Sequence, residues 1–444
     1  MKTIRTTVLV LIISTVFFTC KKKDKDECPV CPSVESISPT NARCFEKLTI
    51  FGKNFSATPA ANIVKINGMQ VNADSILSGS TDKLVVKVPK GCGTGPVTVD
   101  IDNELTNEGT PPVFTYLSTV FVTDIGTNLL NPLPCISNTS TGSYSNYVNP
   151  VGIILDANDN LYVADQAANC ILKFSPSDNY QTPCLFAGMP WATGHDNQLG
   201  TSASFTAPMF MAIDQNNTIF VAEDGDTIRI ISPNGKVENL KMSGADLGAS
   251  SCIAFQPGMF SLAYVSLGQY QGQGKVHTIN KLVKQGNTFK STVFAGTKGT
   301  AGHLDGTGTM ALFNNPQAVI VDNVGNIFVS EDLNHDIRKI TPNGIVTTFA
   351  GSGAPQFADG QGTQASFNTP IGMCIDASNN IYVADNKNSC IRKITPSGLV
   401  STIFTFTGTM NAPTPYGIVL SKNGDMFVTY KSFGGNGIKR ISIQ

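Results

Sequence analysis

The stretch NNIYVADNKNSCIRKITPSG (residues 379–398) carries an acid, a cysteine and an Arg-Lys pair close together, as a small active site would. Closely similar stretches, however, lie at residues 159–178, 217–235, 325–344 and 423–442. Each copy alternates apolar and polar residues between Gly, Pro and Asn, which indicates two strands joined by a turn. A residue needed once for catalysis would not recur in register. The stretch therefore predicts a repeated structural unit and not an active site.

Further repeated segments flank this phrase. A Pro and a short apolar strand precede most copies, as in TPIGMCIDA (369–377), and a strand such as TTFAG (347–351) follows several of them. The unit is thus four short strands, and repeated four-stranded units of about this length are typical of a β-propeller. The sequence contains six candidate innermost strands, which begin near Pro150, Pro208, Ser250, Pro316, Pro370 and Pro415.

The sixth unit lacks a fourth strand, and the missing strand has a candidate earlier in the chain. STVFVTDIGT (118–127) parallels STVFAGTKGT (291–300), which we interpret as the outer strand of another unit. We therefore expect residues 118–125 to complete the last blade and to close the ring, which removes open sheet edges. The sequence predicts a six-bladed propeller over residues 118–444.

A different pattern precedes the repeats. Residues 33–117 contain short alternating strands bounded by Gly, Pro or Asn, among them KLTIFG (47–52) and LVVKVPKG (84–91). Several such strands in so short a segment favour a small β-sandwich. The predicted fold class is therefore all-β, a small immunoglobulin-like sandwich followed by a six-bladed propeller.

Two family resemblances support this division. ISPT, TIFGKNF, VKING, KVPKG and FTY follow one another over residues 33–117, and this order resembles the IPT/TIG family of immunoglobulin-like domains. Linkers such as residues 349–376 carry a Gly-rich turn, Asp-Gly, Ala-x-Phe and Pro in order, and with the strands around them residues 118–444 resemble the NHL-repeat family. The resemblances imply a spacer or interaction module followed by a propeller.

The first residues have the pattern of an export signal. Lys2 and Arg5 precede an apolar run, residues 8–18, that is too short to span a bilayer. The run closes on Cys20, which resembles a bacterial lipoprotein signal; an ordinary secretory signal is the alternative. We expect residues 1–19 to be a signal peptide, Cys20 to be lipidated and residues 20–32 to be a flexible tether.

Charged residues directly after Cys20 resemble the surface-export signal of Bacteroidetes lipoproteins. The implied location is the outer membrane with the chain exposed at the cell surface, and the periplasmic side is the alternative. Export also permits disulfides, for which Cys44–Cys92 and Cys170–Cys184 are plausible pairs, although connectivity cannot be read from sequence.

Charge and motifs exclude some functions. The formal net charge is −1, so nothing indicates a nucleic-acid partner, and membrane contact is expected through the lipid alone. We find neither a Ser-nucleophile motif nor a phosphate loop, and we expect no catalytic residue and no cofactor.

Four acids share one repeat position, which are Asp165, Glu223, Glu331 and Asp385. We interpret them as acceptors for backbone N–H groups of the turn after the second strand. The alternative is a ring of carboxylates that binds a cation on the propeller axis.

Unrepeated residues are better candidates for function. Long inserts fall in loops that share one face of a propeller, and the residues directly after the innermost-strand prolines should line the mouth of the channel. The candidate ligand-binding residues are Trp191, Tyr270, Tyr416, Phe433, Met209 and Gln317. Exposed aromatic rings amid Asn, Gln and Gly suit stacking on sugar rings or a protein hot spot, and the alternative is packing beneath long loops.

Metal chemistry rests on three histidines. His195, His303 and His335 fall on the same predicted face and are weak metal candidates. NHL propellers that act as lyases carry their ligands on innermost strands, and the matching strands here are apolar. The sequence therefore favours a non-catalytic platform that captures a glycan. A protein-interaction scaffold is the first alternative, and a metal-dependent hydrolase or lyase is the second.

Overall fold

The computed structural model describes residues 32–42, 46–89, 92, 94–101, 111–116, 120–126, 135, 147–224, 227–245, 250–268, 276–407 and 412–443. The chain divides into two compact units, one within Met1–Thr119 and the other over Val120–Ile443. Regular structure in the described ranges consists of β-strands and single-turn 3-10 helices, so the all-β prediction is confirmed. Within these ranges no helix is long and apolar enough to cross a bilayer.

The first unit contains nine strands among its described residues. They are β1 (Ser33–Ser38), β2 (Asn41–Ala42), β3 (Lys47–Lys53), β4 (Asn62–Ile66), β5 (Met69–Gln70), β6 (Ile76–Gly79), β7 (Lys83–Lys87), β8 (Gly95–Ile101) and β9 (Val113–Tyr116). Two sheets form, in the orders β1-β3-β7-β6 and β2-β9-β8-β4-β5. Their alternate residues, such as Leu48 and Ile50 from one sheet and Val64 and Val97 from the other, pack into one core.

The second unit contains six sheets among its described residues, which we call the first to sixth blades in chain order. The first blade comprises β11 (Pro150–Leu155), β12 (Leu161–Asp165), β13 (Cys170–Phe174) and β14 (Cys184–Ala187). The second comprises β15 (Met211–Ile213), β16 (Ile219–Ala222), β17 (Ile228–Ile231) and β18 (Val237–Asn239). The third comprises β19 (Met242–Gly244), β20 (Ser250–Gln256), β21 (Met259–Leu267), β22 (Thr278–Gln285) and β23 (Thr288–Ala295).

The remaining blades follow the same plan. The fourth comprises β24 (Gly306–Thr307), β25 (Pro316–Val321), β26 (Ile327–Glu331), β27 (Asp336–Ile340) and β28 (Ile345–Ala350). The fifth comprises β29 (Gly360–Gln361), β30 (Pro370–Ile375), β31 (Ile381–Asp385), β32 (Cys390–Ile394) and β33 (Leu399–Thr405). The sixth comprises β34 (Thr414–Leu420), β35 (Met426–Lys431), β36 (Gly437–Ile443) and β10 (Val120–Ile125), which pairs antiparallel with β36. Short 3-10 turns lie at Pro59–Ala61, Ala73–Ser75, Pro176–Asp178, Gly200–Ser202, Gly308–Met310, Gly362–Gln364 and Asn386–Asn388.

The six blades form a closed ring. The innermost strands contact one another in the cycle β11, β15, β20, β25, β30, β34 and back to β11. Hydroxyl groups reinforce the junctions: Ser330 Oγ donates to the Ile371 carbonyl at 2.6 Å, and Thr429 Oγ1 donates to the Val151 carbonyl at 2.9 Å. The second of these bonds joins the sixth blade to the first.

The Ala-x-Phe motif of the linkers supplies part of the core. Phe205, Phe313 and Phe367 are completely buried, as are the alanines two residues before them. Each phenylalanine lies in the linker that precedes an innermost strand, so a repeated apolar anchor holds each of these linkers against its blade. At about 1.5–3 kcal/mol for a fully buried phenylalanine, these anchors contribute substantially to the stability of the ring.

The predicted disulfide Cys170–Cys184 is wrong. The two residues do lie on neighbouring strands, but Cys184 stands opposite Lys173, and its sulfur bonds to Cys135. Cys170 is a completely buried free thiol, and burial raises its pKa well above the usual value. Cys44 lies outside the described residues, so the Cys44–Cys92 pair stays a prediction, as do the signal peptide, the tether and lipidation of Cys20.

Candidate functional site

The four repeated acids are structural. Asp165, Glu223, Glu331 and Asp385 are completely buried. Each accepts backbone N–H bonds from the segment that leads into the innermost strand of its own blade; Asn368 N–H donates to Asp385 Oδ1 at 2.8 Å, for example. The carboxylates therefore connect each linker to the second strand of its blade. The prediction that they accept from backbone N–H groups is correct, but the donors common to all four lie before the innermost strand and not in the turn after the second strand, where Ala168 donates to Asp165.

Sequence reasoning missed the buried arginines that complete these clusters. Arg338 Nη1 donates to Glu331 Oε2 at 2.8 Å, and its Nη2 donates to Asp305 Oδ1 at 2.6 Å. Arg392 makes the same pair of contacts with Asp385 and Asp359, at 2.8 and 2.7 Å. The signal was present in the sequence, because Ile-Arg recurs on the third strand and Asp-Gly recurs in the linker.

The second blade carries a weaker version of the cluster. Arg229 lies 3.6 Å from Glu223 and donates to Asn197 Oδ1 at 3.2 Å, where the other two linkers have an aspartate. His195 compensates in part, because its Nδ1 lies 2.8 Å from Glu223 Oε1. Burial raises the pKa of Glu223, and the arginine and the histidine oppose that rise.

The three candidate metal-binding histidines make separate local contacts. His195 binds Glu223 as above, and His303 Nε2 lies 2.6 Å from Asp336 Oδ2, a contact that raises the pKa of His303. His335 Nδ1 accepts the Thr369 N–H at 3.1 Å. Within the described ranges no three His, Cys, Asp or Glu side chains come close enough together to hold a metal ion.

The His335 contact belongs to a repeated junction between blades. His335, His277 and Asn169 all have positive φ values, of 56°, 55° and 57°, at the turn before the third strand. His277 Nδ1 accepts the Asn315 N–H, and Asn169 Oδ1 accepts the Ala207 N–H. Each acceptor therefore holds the residue that precedes the innermost-strand proline of the next blade.

A cavity of about 340 Å³ opens where the innermost strands begin, and we call it the polar cavity. Its lining residues are Val151, Gln166, Met209, Phe210, Asn315, Gln317, Asp332, Thr369, Ile371, Asn386, Lys387, Tyr416 and Lys431. Most of them belong to two sets of positions, the residue directly after the innermost-strand proline and the residue just beyond the repeated acid or its counterpart Tyr430; Phe210, Asn315, Thr369 and Lys387 lie within two positions of these. The first set is mostly apolar, and the second set is polar and differs in every blade.

Two charged side chains in the polar cavity have unusual surroundings. Lys431 Nζ lies 4.0 Å from the centre of the Tyr416 ring, and burial lowers the pKa of Lys431 to about 8. Burial raises the pKa of Asp332 to about 6, although Asn315 Nδ2 and Gln317 Nε2 donate to its Oδ2 at 3.1 and 3.4 Å. Both groups therefore carry a charge that the protein solvates poorly.

The structure brings together three of the six predicted ligand-binding residues. Met209, Gln317 and Tyr416 line the polar cavity. Trp191 and Phe433 do not line it, and their exposed fractions are 55% and 94%. Tyr270 lies outside the described residues. Sequence reasoning missed Asp332, Asn386 and Lys431, whose signal was their variation beside an otherwise repeated acid.

A second cavity, of about 320 Å³, lies where the innermost strands end. It is lined mainly by aliphatic and aromatic residues, such as Ile213, Phe255 and Val321, together with the thiols Cys252 and Cys374. Burial raises the pKa of both thiols, that of Cys252 to about 12, so neither is a ready nucleophile. We call this the apolar cavity.

Comparisons with known proteins bear on the family and the fold. Residues 32–116 match the IPT/TIG domain family, and residues 367–394 match the NHL repeat family, so both resemblances are confirmed over these ranges. Over 270 residues the chain is 25% identical to the protein SUPPRESSOR OF QUENCHING 1, chloroplastic, of Arabidopsis thaliana. That match covers 55% of this chain and 25% of the relative, so the chain spans about a quarter of that protein's length.

Three crystal structures of Bacteroides thetaiotaomicron proteins share the fold along 93% of this chain. A protein of unknown function has a TM-score of 0.60 at 18% identity over 98% of its own chain. An auxiliary nutrient binding protein has a TM-score of 0.50 at 14% identity over 98% of its chain, and a putative phosphatase has 0.50 at 16% over 97%. At these identities the similarity concerns the fold alone.

Proposed function

We propose that the second unit is a non-catalytic binding platform that captures a small carbohydrate in the polar cavity. The observation that carries the proposal is the lining of this cavity. The side chains of Gln166, Gln317 and Asn386 line the cavity together with Tyr416 and with apolar residues such as Val151. Amides match sugar hydroxyls as hydrogen-bond partners, and an aromatic ring matches the apolar face of a sugar.

The size of the cavity supports a small ligand. A volume of about 340 Å³ is at the lower end of the range of roughly 300–1,000 Å³ for ligand pockets in proteins. It suits a monosaccharide or disaccharide, or the end of a longer glycan. A protein of similar fold is named as an auxiliary nutrient binding protein, which agrees with a role in capture, although likeness of fold does not by itself transfer a function.

The candidate catalytic side chains already have hydrogen-bond or ion-pair partners within the protein, which favours binding over catalysis. The histidines that sequence reasoning raised as metal ligands contact Glu223, Asp336 and the Thr369 N–H, in three different blades. The buried acids are occupied by arginines and backbone N–H groups. A metal-dependent hydrolase or lyase would need several of these side chains to converge on one point.

A protein-interaction scaffold is the second candidate. The observation in its favour is the exposure of Trp191 and Phe433 in loops outside the polar cavity. Large exposed aromatic residues are frequent among the hot spots of protein interfaces. In this alternative the loops would bind the partner protein, and the polar cavity would take no part in binding.

We also propose that the protein is exported and anchored in the outer membrane through a lipid on Cys20, exposed at the cell surface. The support is the sequence pattern around Cys20, which lies outside the described residues. Mass spectrometry of the mature N-terminus tests the anchor: an acylated Cys20 agrees with it, and an unmodified N-terminus contradicts it.

Binding to a glycan array, followed by calorimetry on the best ligand, tests the capture function. We expect Gln317→Ala and Tyr416→Ala to weaken binding by roughly tenfold or more, because each removes a direct contact. Trp191→Ala and Phe433→Ala are the matched controls, since both remove aromatic residues outside the cavity, and we expect them to change affinity by less than about threefold. If the protein binds no glycan, and if it captures a protein partner that the Trp191→Ala and Phe433→Ala variants fail to capture, the protein-interaction scaffold is the better assignment.

A further inference from the structure

Lys431 places a cation without an ion pair in the polar cavity. It is the last residue of β35 and is partly buried, and its ammonium group lies over the Tyr416 ring at 4.0 Å. Within the described ranges no carboxylate lies within ion-pair distance of its Nζ. Asp165 attracts it, but that carboxylate already accepts the backbone N–H groups of Val148 and Asn149. The aromatic ring offsets only part of the loss of hydration.

Asp332 supplies an acceptor on a different blade. Its Oδ2 accepts the amides of Asn315 and Gln317, whereas its Oδ1 is buried and makes no hydrogen bond within the described ranges. The backbone N–H groups of Leu333 and of Asp332 itself lie near the carboxylate and favour its charged form without completing a hydrogen bond to Oδ1. A buried acceptor without a partner destabilises the folded protein, so the charge of Asp332 is held at a cost in stability.

The sum of charges around the cavity is positive. Among the lining residues, Lys387 and Lys431 carry two positive charges, and Asp332 carries one negative charge. Lys387 is exposed, and its attraction to Asp332 lowers the pKa of that carboxyl group against the effect of burial. Lys431, the less exposed of the two lysines, is therefore the cation without an opposite charge. Because water screens charges weakly at a partly buried site, an anion in the cavity would interact strongly with it.

We infer that the polar cavity selects a sugar that carries a carboxylate, of the uronic acid class, with the carboxylate on Lys431 and the ring among the polar side chains of the lining. This inference rests on the proposed function and narrows its ligand. A neutral sugar leaves Lys431 unpaired, and an inorganic anion makes no use of the Tyr416 ring and the side-chain amides of the lining. A sugar acid uses both.

Calorimetric titration of the purified full chain with a matched pair of ligands tests the inference. Galacturonic acid and glucuronic acid are compared with their methyl esters, which keep the ring and its hydroxyls and remove the charge. We expect the acid to bind roughly tenfold to a hundredfold more tightly than its ester, as a charge-assisted contact predicts. Lys431→Gln should remove this preference for the acid over the ester, whereas Lys431→Arg should keep it.

Lys387→Gln is the control for charge alone. It removes an exposed cation of the same cavity, and we expect a smaller change than Lys431→Gln gives, because water screens the exposed group. Thermal unfolding checks that each variant is folded. The Arg variant keeps the test informative if the Gln variant fails to fold.

Equal affinity for acid and ester in the wild-type protein would overturn the inference and leave carbohydrate capture standing. Binding of an amino acid such as glutamate, but of no sugar in the panel, would overturn the assignment to sugars. Failure to bind any acid, ester or neutral sugar would overturn capture itself, and the inference with it.

Discussion

Glu331 and Asp332 are neighbours in the sequence, and they belong to two different regions of the molecule. Glu331 is buried in a cluster that recurs in three blades, where its carboxylate meets Arg338 at 2.8 Å and the Asn314 N–H. Asp332 lines the polar cavity, where one oxygen accepts two amides and the other is buried without a partner. Both carboxylate oxygens of Glu331 accept hydrogen bonds within the protein, whereas only one oxygen of Asp332 does so within the described ranges.

The comparison separates structure from function by two criteria together. The carboxylates of the Arg–carboxylate clusters are repeated and accept hydrogen bonds from arginines and backbone N–H groups, whereas the charged cavity residues Asp332 and Lys431 are unrepeated and, within the described ranges, lack an ion pair. A buried charge without a partner destabilises a protein, so an unpaired cation in a cavity favours an anionic ligand there. Each prediction below alters one member of this comparison.

The largest effect is expected from Arg338→Met. The change leaves the buried carboxylate of Glu331 and the half-exposed carboxylate of Asp305 without their cation, and we expect the free energy of unfolding to fall by about 3–5 kcal/mol. Urea unfolding followed by the fluorescence of Trp191, the single Trp of the chain, reports on the second unit. Lys339→Met is the control, because this neighbour lies over two aromatic rings on the half-buried face and should cost less than about 1 kcal/mol. Equal losses for the two variants would contradict the structural role of the cluster.

An intermediate effect is expected at the junction between the fourth and fifth blades. His335→Ala removes the acceptor of the Thr369 N–H, and we expect a loss of about 1–2 kcal/mol in the same unfolding assay. His335→Asn should recover most of it, since Asn169 fills the equivalent place in the first blade at nearly the same positive φ. A loss for Asn as large as that for Ala would show that the imidazole does something other than accept this bond.

An effect of similar size and of opposite sign is expected from Asp332→Asn. Burial raises the pKa of Asp332 from its usual 3.8 to about 6, so the folded protein binds the proton more tightly than the unfolded chain does. The wild-type free energy of unfolding should therefore fall as pH rises from about 4 to about 6, and the loss should persist above that window. The variant lacks this dependence and should be about 1–2 kcal/mol more stable than wild type at pH 7, a value reduced for the partial exposure of the side chain.

Stability curves at pH 4 and pH 7 for both proteins check this prediction. The difference should be near zero at pH 4 and should favour the variant at pH 7, while sugar affinity falls. A variant that is less stable at pH 7 would place Asp332 with Glu331 among the structural carboxylates.

Much of the fold could be predicted from the sequence, because repetition makes each copy evidence for the others. The Pro-led strands, the alternation over residues 379–398 and the IPT/TIG segments all indicated short strands, and the structure has them. The acids were correctly interpreted as acceptors for backbone N–H groups. Their arginine partners were missed because strand alternation assigns Arg338 and Arg392 to a face without showing how deeply it is buried.

The candidate site could be predicted only in part. The positions after the innermost-strand prolines indicated Met209, Gln317 and Tyr416, which do line the polar cavity. Exposed aromatic residues drew attention to Trp191 and Phe433, which do not. The sequence shows that a residue is aromatic and unrepeated, but the three-dimensional ring of blades determines which residues line the cavity. The Cys170–Cys184 pairing failed for a similar reason, because the partner, Cys135, lies outside the repeat.

A crystal structure of the protein with the uronic acid that binds most tightly tests the central claim most directly. We expect the sugar to lie in the polar cavity, with its carboxylate within about 3 Å of Lys431 Nζ. A sugar bound instead beside Trp191 or Phe433, or in the apolar cavity, would contradict the account that unrepeated, unsatisfied residues mark the functional site.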